Sequence, residues 1–149
     1  MPLPRLALRV LVLVLSAAGI ASCSESLPTE AELEVDSVRI VSIQPALGAN
    51  LQAGSLLTVS ATLDYRLTRA SAGTISMVFE DQTYAVLSST PPSPEAPVTR
   101  GSGTVTLSGQ IVVPASGVSM VHVFFPLFHT GAKSSQTLDD IYYRVSQGS

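Results

Sequence analysis

Two histidines, His122 and His129, are the only imidazole side chains in the 149 residues. A serine hydrolase needs such a base beside a carboxylate and a serine on a sharp turn. The chain contains no G-x-S-x-G motif that would form this turn. On one extended strand, the seven-residue spacing would separate the histidines by about 23 Å and direct them to opposite faces. We therefore predict no catalytic triad, no shared metal site, no cofactor and no enzymatic activity.

Two acidic pairs, Glu80–Asp81 and Asp139–Asp140, are the other candidates for chemistry, because clustered carboxylates are the ligands that calcium prefers. No Asp-x-Asp-x-Asp loop accompanies them. In an immunoglobulin-like strand order, the two pairs would lie at opposite ends of the domain. We predict that they are solvated turn residues that do not share a site.

The elements that position these side chains are strands. Apolar and polar residues alternate with the period of two that is typical of half-buried strands, whereas no long helical pattern follows residue 22. The clearest alternation covers residues 57–67, 75–79, 105–113 and 141–145; weaker segments are 38–43 and 83–88, and residues 121–128 are apolar on both faces.

Together these segments predict an all-β fold over residues 36–147, an immunoglobulin-like β-sandwich of about seven strands. A small up-and-down β-barrel is the alternative. The expected strands are A near Val38, B near Val59, C near Met77, C′ near Val86, E near Leu107, F near Val123 and G near Tyr143.

Two segments between these strands are predicted to be irregular. Residues 68–73 (TRASAG) are rich in turn-forming residue types. Residues 88–103 contain four prolines and are expected to be a long solvated connection, with a recognition loop as the alternative reading.

A candidate binding patch follows from the expected pairing of strands F and G beside C. Five side chains would then face outward, against the usual polar exterior: Val78, His122, Phe124, Tyr142 and Arg144. Contiguous apolar surface marks contacts with other molecules, and Tyr and Arg are frequent interface hot spots. We predict a partner-binding patch here, and burial under a loop, the tether or a second copy is the alternative.

The first 22 residues have the pattern of a secretory signal. Arg5 and Arg9 precede an apolar stretch from Val10 to Ala18, and small residues follow. The apolar run is shorter than the roughly 20 residues that cross a membrane. We predict that residues 1–22 are an export signal.

The only cysteine, Cys23, stands directly after this signal. Residues 20–23 (Ile-Ala-Ser-Cys) resemble the lipobox of bacterial lipoproteins. The resemblance implies cleavage before Cys23, lipid on its sulfur and attachment to a membrane, and two or more acyl chains give a firm anchor. Ser24, directly after the cysteine, is similar to the second residue of mature lipoproteins that Gram-negative bacteria direct to the outer membrane. Residues 23–35 are acidic and predict a solvated tether.

Charge and cysteine content exclude some classes of function. The net charge is −3, and removal of the two signal arginines takes it to −5, which argues against nucleic acid binding. A single cysteine permits no internal disulfide. The sequence thus favours a bacterial envelope lipoprotein, similar in general pattern to small immunoglobulin-like modules of envelope proteins. It would present a non-catalytic binding or adhesion-type module to an envelope protein. A structural spacer or assembly accessory is the alternative, and an enzyme ranks last.

Overall fold

The computed structural model describes residues 35–147, which form strands joined by turns and loops. The strands are β1 (Ser37–Gln44), β2 (Asn50–Gln52), β3 (Leu56–Ser76), β4 (Val78–Asp81), β5 (Glu95–Val112), β6 (Met120–His129) and β7 (Thr137–Ser146). The predicted signal, Cys23 and the tether up to Glu34 lie outside the described residues. Within residues 35–147, no helix is long and apolar enough to cross a membrane.

The strands form one curled sheet, and the long strand β3 connects its two halves. In one half, β3 pairs antiparallel with β1 and β5. In the other, β6 pairs antiparallel with the end of β3, with β4 and with β7, and β2 joins β7 in parallel. The all-β fold of about seven strands is confirmed. The pairing groups the predicted strands A, B and E apart from C, F and G, as in immunoglobulin-like sandwiches. Among residues 35–147, the sequential strand pairing of the up-and-down alternative is not observed, because β3 pairs with β1, β5 and β6.

Both halves contribute to a single hydrophobic core. Along β7 and the first part of β3, alternate side chains point inward, as the period of two in the sequence requires. Strand β6 is buried on both faces, which agrees with its lack of alternation. The largest fully buried side chains include Tyr143, Phe79, Phe125, Leu63 and Leu67. Burial of each such side chain stabilises the fold by about 1.5–3 kcal/mol.

The turn predicted at residues 68–73 is instead part of β3. The pairing of β3 with β5 shifts register between Leu67 and Ala72, so an irregularity within the strand changes its course and no turn ends it. Gly73 then passes close to β6, where a Cβ atom would lie 2.5 Å from the carbonyl oxygen of Phe128. Turn-forming residue types therefore mark the place where β3 moves from one half of the sheet to the other.

The proline-rich connection is also shorter than predicted. Strand β5 begins at Glu95 and contains Pro97, so the irregular connection ends at Pro94. An edge strand tolerates proline because one side of its backbone needs no ladder partner. The weak strand predicted at 83–88 is wrong as well: it contributes one isolated bridge, between Glu80 and Val86.

Candidate partner-binding face

The pairing of β4, β6 and β7 sets the positions of the five residues predicted to form a patch. Val78 lies opposite Phe124, His122 lies opposite Tyr142, and Arg144 lies opposite Met120. Their neighbours in the strands, such as Val123 and Tyr143, are buried in the core, so the five side chains lie on the outer face of the sheet. We call Val78, His122, Phe124, Tyr142 and Arg144 the outer aromatic face.

Aromatic stacking organises the centre of this face. The His122 ring stacks on the Tyr142 ring with centroids 4.2 Å apart and an interplanar angle of 8°. It also stacks on Phe124, with centroids 5.2 Å apart and an angle of 27°. The contact with Phe124 is within the range of favourable offset stacking, and the contact with Tyr142 is slightly closer than that range. The three rings therefore restrain one another.

Two carboxylates fix the histidine from the sides. His122 Nε2 lies 2.8 Å from Asp140 Oδ2, and His122 Nδ1 lies 3.8 Å from Glu80 Oε2. Nδ1 is buried and has no hydrogen-bond partner among residues 35–147. The prediction that the acidic pairs lie apart in solvated turns is wrong for Glu80 and Asp140. Residue 80 lies directly across from residue 122, and β7 brings residue 140 to the other side of the ring.

Exposure differs sharply among the five residues. His122 is only 8% exposed, whereas Tyr142 is 47% exposed and Arg144 is also exposed. Val78 and Phe124 are half-buried. Desolvation raises the pKa of Tyr142, and the neighbouring charge and hydrogen bond of Asp140 add to this effect. The accessible part of the face is therefore the Tyr142 ring with the edges of its apolar neighbours, and His122 supports it from below.

Tyr84 is an exposed aromatic residue outside the five residues of the predicted patch. It is 73% exposed and has a left-handed backbone with φ of 65°, which is uncommon for a tyrosine. The Asp81 carboxylate fixes this turn by accepting hydrogen bonds from Thr83 Oγ1, Thr83 N and Ala85 N, and these bonds lower the pKa of Asp81. The charge of Tyr84 also contributes to raising the pKa of Tyr142. An Asp two residues before Thr is a turn signal, but it does not reveal which residues lie near the turn.

The second histidine belongs to a separate, structural cluster. His129 Nε2 lies 2.6 Å from Asp36 Oδ2, and Asp36 Oδ1 accepts hydrogen bonds from Thr68 N, Thr68 Oγ1 and Arg69 N. Burial alone would raise the pKa of Asp36, but these bonds outweigh it and lower the pKa from 3.8 to about 2. The two histidines thus bind different carboxylates. No three His, Cys, Asp or Glu side chains in residues 35–147 form a group that could hold a metal ion.

A shallow polar depression of about 500 Å³ lies on the other half of the sheet. Its lining includes Arg39, Asp64, Arg66, Ser102 and Thr104. Asp64 Oδ1 accepts a hydrogen bond of 2.7 Å from Thr104 Oγ1. The depression is open and mixed in charge, and it shares no residue with the outer aromatic face.

Comparison with known proteins gives little similarity. No protein-family model and no curated protein matches the chain. Among solved structures, a β-glucuronidase from glycoside hydrolase family 2 has a TM-score of 0.44 and 11% identity, over 75% of this chain and 11% of that chain. A β-glucosidase from Listeria innocua in complex with gluconolactone has a TM-score of 0.44 and 14% identity, over 76% and 16%.

A family 123 glycoside hydrolase from Clostridium perfringens has a TM-score of 0.38 and 13% identity, over 76% of this chain and 28% of that chain. The chain therefore spans between 11% and 28% of the length of these three proteins. At these TM-scores, the similarity has no bearing on activity or substrate.

Proposed function

We propose that this protein is a lipid-anchored protein of the bacterial cell envelope, and that its non-catalytic β-domain binds a partner protein through the outer aromatic face. The lipobox-like residues 20–23 support the anchor. The observation that carries the binding function is that Tyr142 is exposed while its ring is held by stacking on the buried His122.

Restraint of Tyr142 favours binding because an immobilised side chain loses little conformational entropy when a partner covers it. Its ring lies 4.2 Å from His122, which contacts Asp140 in turn. Half-buried Val78 and Phe124 extend the apolar area beside it, and the exposed Arg144 lies two residues along the same strand. An aromatic anchor with apolar neighbours and a charged rim is the usual composition of a protein interface.

Site-specific photo-crosslinking in intact cells tests the binding function. A photo-reactive residue at position 144 reports on the outer aromatic face, and one at Thr58, an exposed position in the other half of the sheet, is the matched control. We expect a defined adduct with an envelope protein from position 144 only. When Phe124→Ser and Tyr142→Ser are added to the position-144 variant, the yield of this adduct should fall about 30-fold, because loss of one hot-spot residue weakens affinity by about this factor. Equal adducts at both positions, or none at 144, would contradict a binding face and favour the spacer alternative.

Metabolic labelling tests the anchor independently. A palmitate analogue should label the wild-type protein, and Cys23→Ala should abolish the label because the thiol that carries the lipid is lost. Cys23→Ala should leave the photo-crosslinked partner unchanged in a cell extract, which separates the anchor from the binding face. Persistent labelling of Cys23→Ala would refute the lipid assignment.

A further inference from the structure

Strand β5 has a free edge in the part of the chain that the structure describes, where β3 is its only strand neighbour. Gln110 shows which main-chain groups face that edge: its N–H and C=O bond to Thr90, at 3.0 and 2.8 Å, on the side away from β3. Main-chain groups alternate in direction along an antiparallel strand. Thr104, Thr106 and Ser108 therefore also direct their N–H and C=O groups away from β3.

This edge lacks the features that usually prevent strand addition. From Gly101 to Val112 there is no charged residue and no proline. The Thr104, Thr106 and Ser108 side chains are exposed on the outer face. An extended edge with unpaired main-chain groups is a template for another strand.

We propose that two copies of this chain associate through antiparallel pairing of their β5 strands, with Thr106 facing its own equivalent across a two-fold axis. In this register, Thr104 of each copy lies opposite Ser108 of the other. Three outward residues in each copy donate one N–H and accept through one C=O, which gives six main-chain hydrogen bonds. The pair extends the sheet continuously from one copy into the other.

The side chains favour a second copy over a charged partner. Across the two-fold axis, threonine meets threonine and serine, and such cross-strand hydroxyl pairs are favourable. The nearest acidic side chain, Asp64, lies beside Thr104, whereas Ser60 lies beside Ser108. Across the dimer, Asp64 and Thr104 of one copy are therefore followed by Ser108 and Ser60 of the other copy. No two like charges lie opposite each other.

The paired segment has defined limits. Thr90 already occupies the outward groups of Gln110, which this register places opposite Ser102 of the other copy, so pairing ends at Ser108 and the two strands diverge beyond it. At the other end of the segment, Gly101 has a φ of 112° and closes the regular strand. The contact is short, so we expect a weak, concentration-dependent dimer. The outer aromatic face lies on β4, β6 and β7 and stays accessible, so dimerisation is independent of the proposed binding function.

Thr106→Pro is the decisive variant. Proline removes the N–H that faces the edge and no bond to β3, so it should leave the fold intact, as it does on natural edge strands. Thr106→Ala removes the side chain but keeps the N–H. In sedimentation of the full chain over a concentration series, we expect Thr106→Pro to weaken dimerisation at least tenfold and Thr106→Ala at most about threefold. A wild-type monomer at every concentration, or a dimer unaffected by proline, would overturn the proposal.

Disulfide trapping gives a second measurement on the full chain. A two-fold axis at Thr106 places the equivalent Cα atoms about 5.5 Å apart, within disulfide range. With Cys23 replaced by alanine in both variants, Thr106→Cys should form a covalent dimer under mild oxidation, and Thr58→Cys, exposed on β3, should not. Equal crosslinking of both variants, or none for Thr106→Cys, would contradict the pairing. Protection of the edge amides from hydrogen exchange only when a different protein is added would assign the edge to that protein and overturn the proposal.

Discussion

Replacement of Asp36 by asparagine removes a buried negative charge from the start of the folded domain. The carboxylate contacts His129 at 2.6 Å and accepts bonds of 2.7 and 3.0 Å from Thr68 and 3.2 Å from Arg69. Asparagine has nearly the same shape and keeps one acceptor oxygen. The Asp36→Asn variant therefore tests the charge itself, with little change in packing.

The magnitude follows from the pKa of the Asp36 carboxyl, which the fold lowers from 3.8 to about 2. A shift of this size corresponds to about 2 kcal/mol of stability. Because the pKa is lower in the folded state, this stability is fully present above pH 3.8 and is lost as the pH falls toward 2. We expect Asp36→Asn to lower the free energy of unfolding by about 2 kcal/mol at pH 7 and much less near pH 2.

Urea unfolding at a series of pH values measures this difference. Asp64→Asn is a matched control, because Asp64 is an exposed carboxylate with a single hydrogen bond from Thr104, and it should cost less than about 1 kcal/mol. A cost for Asp36→Asn that is equally small, or that stays constant from pH 7 to pH 2, would refute the charge-based explanation.

Three further substitutions test other parts of the fold. Gly73→Ala should lower the free energy of unfolding by about 1–3 kcal/mol, measured with urea, because the new Cβ would lie 2.5 Å from the carbonyl oxygen of Phe128; an unchanged midpoint would contradict this close approach. Tyr143→Phe removes a 2.6 Å hydrogen bond to the Pro45 carbonyl and should cost about 1–2 kcal/mol. Burial raises the pKa of Tyr143 to about 12, so wild-type stability should also fall as the pH rises from 10 to 12, and the phenylalanine variant should lack that loss. Asp81→Ala should speed hydrogen exchange at the Thr83 and Ala85 amides, because both donate hydrogen bonds to the Asp81 carboxylate. Unchanged exchange would show that backbone hydrogen bonds alone hold the turn.

The strands could be predicted because their side chains alternate strictly between core and solvent. Leu57 to Leu67 follows this rule without exception, and the structure buries or half-buries every second residue there. The course of β3 through residues 68–73 could not be predicted, since turn-forming residue types also occur where a strand bends and changes partners. Pro97 led to the wrong prediction of an irregular segment that reaches residue 103, because proline excludes a central strand but not an edge strand such as β5.

The five residues of the candidate face could be predicted from strand parity together with an assumed strand order. Their environment could not. His122 lies between Glu80 and Asp140 because of the register of three strands, and register is a property of pairing that local sequence does not encode. Tyr84 was missed because a turn residue acquires its neighbours only when the sheet is assembled.

The hydrogen bonds of Asp36 also have a mechanical consequence. This residue precedes β1, yet its carboxylate is bonded to the bend of β3 and to the end of β6. A tensile load entering the domain at Val35 therefore acts on three strands at once, and β1 is not peeled from its neighbour one bond at a time. Without the hydrogen bonds of Asp36, the same load would separate β1 from β3 one residue at a time, starting at Ser37. Asp36→Ala should therefore lower the unfolding force in single-molecule pulling from the amino-terminal side.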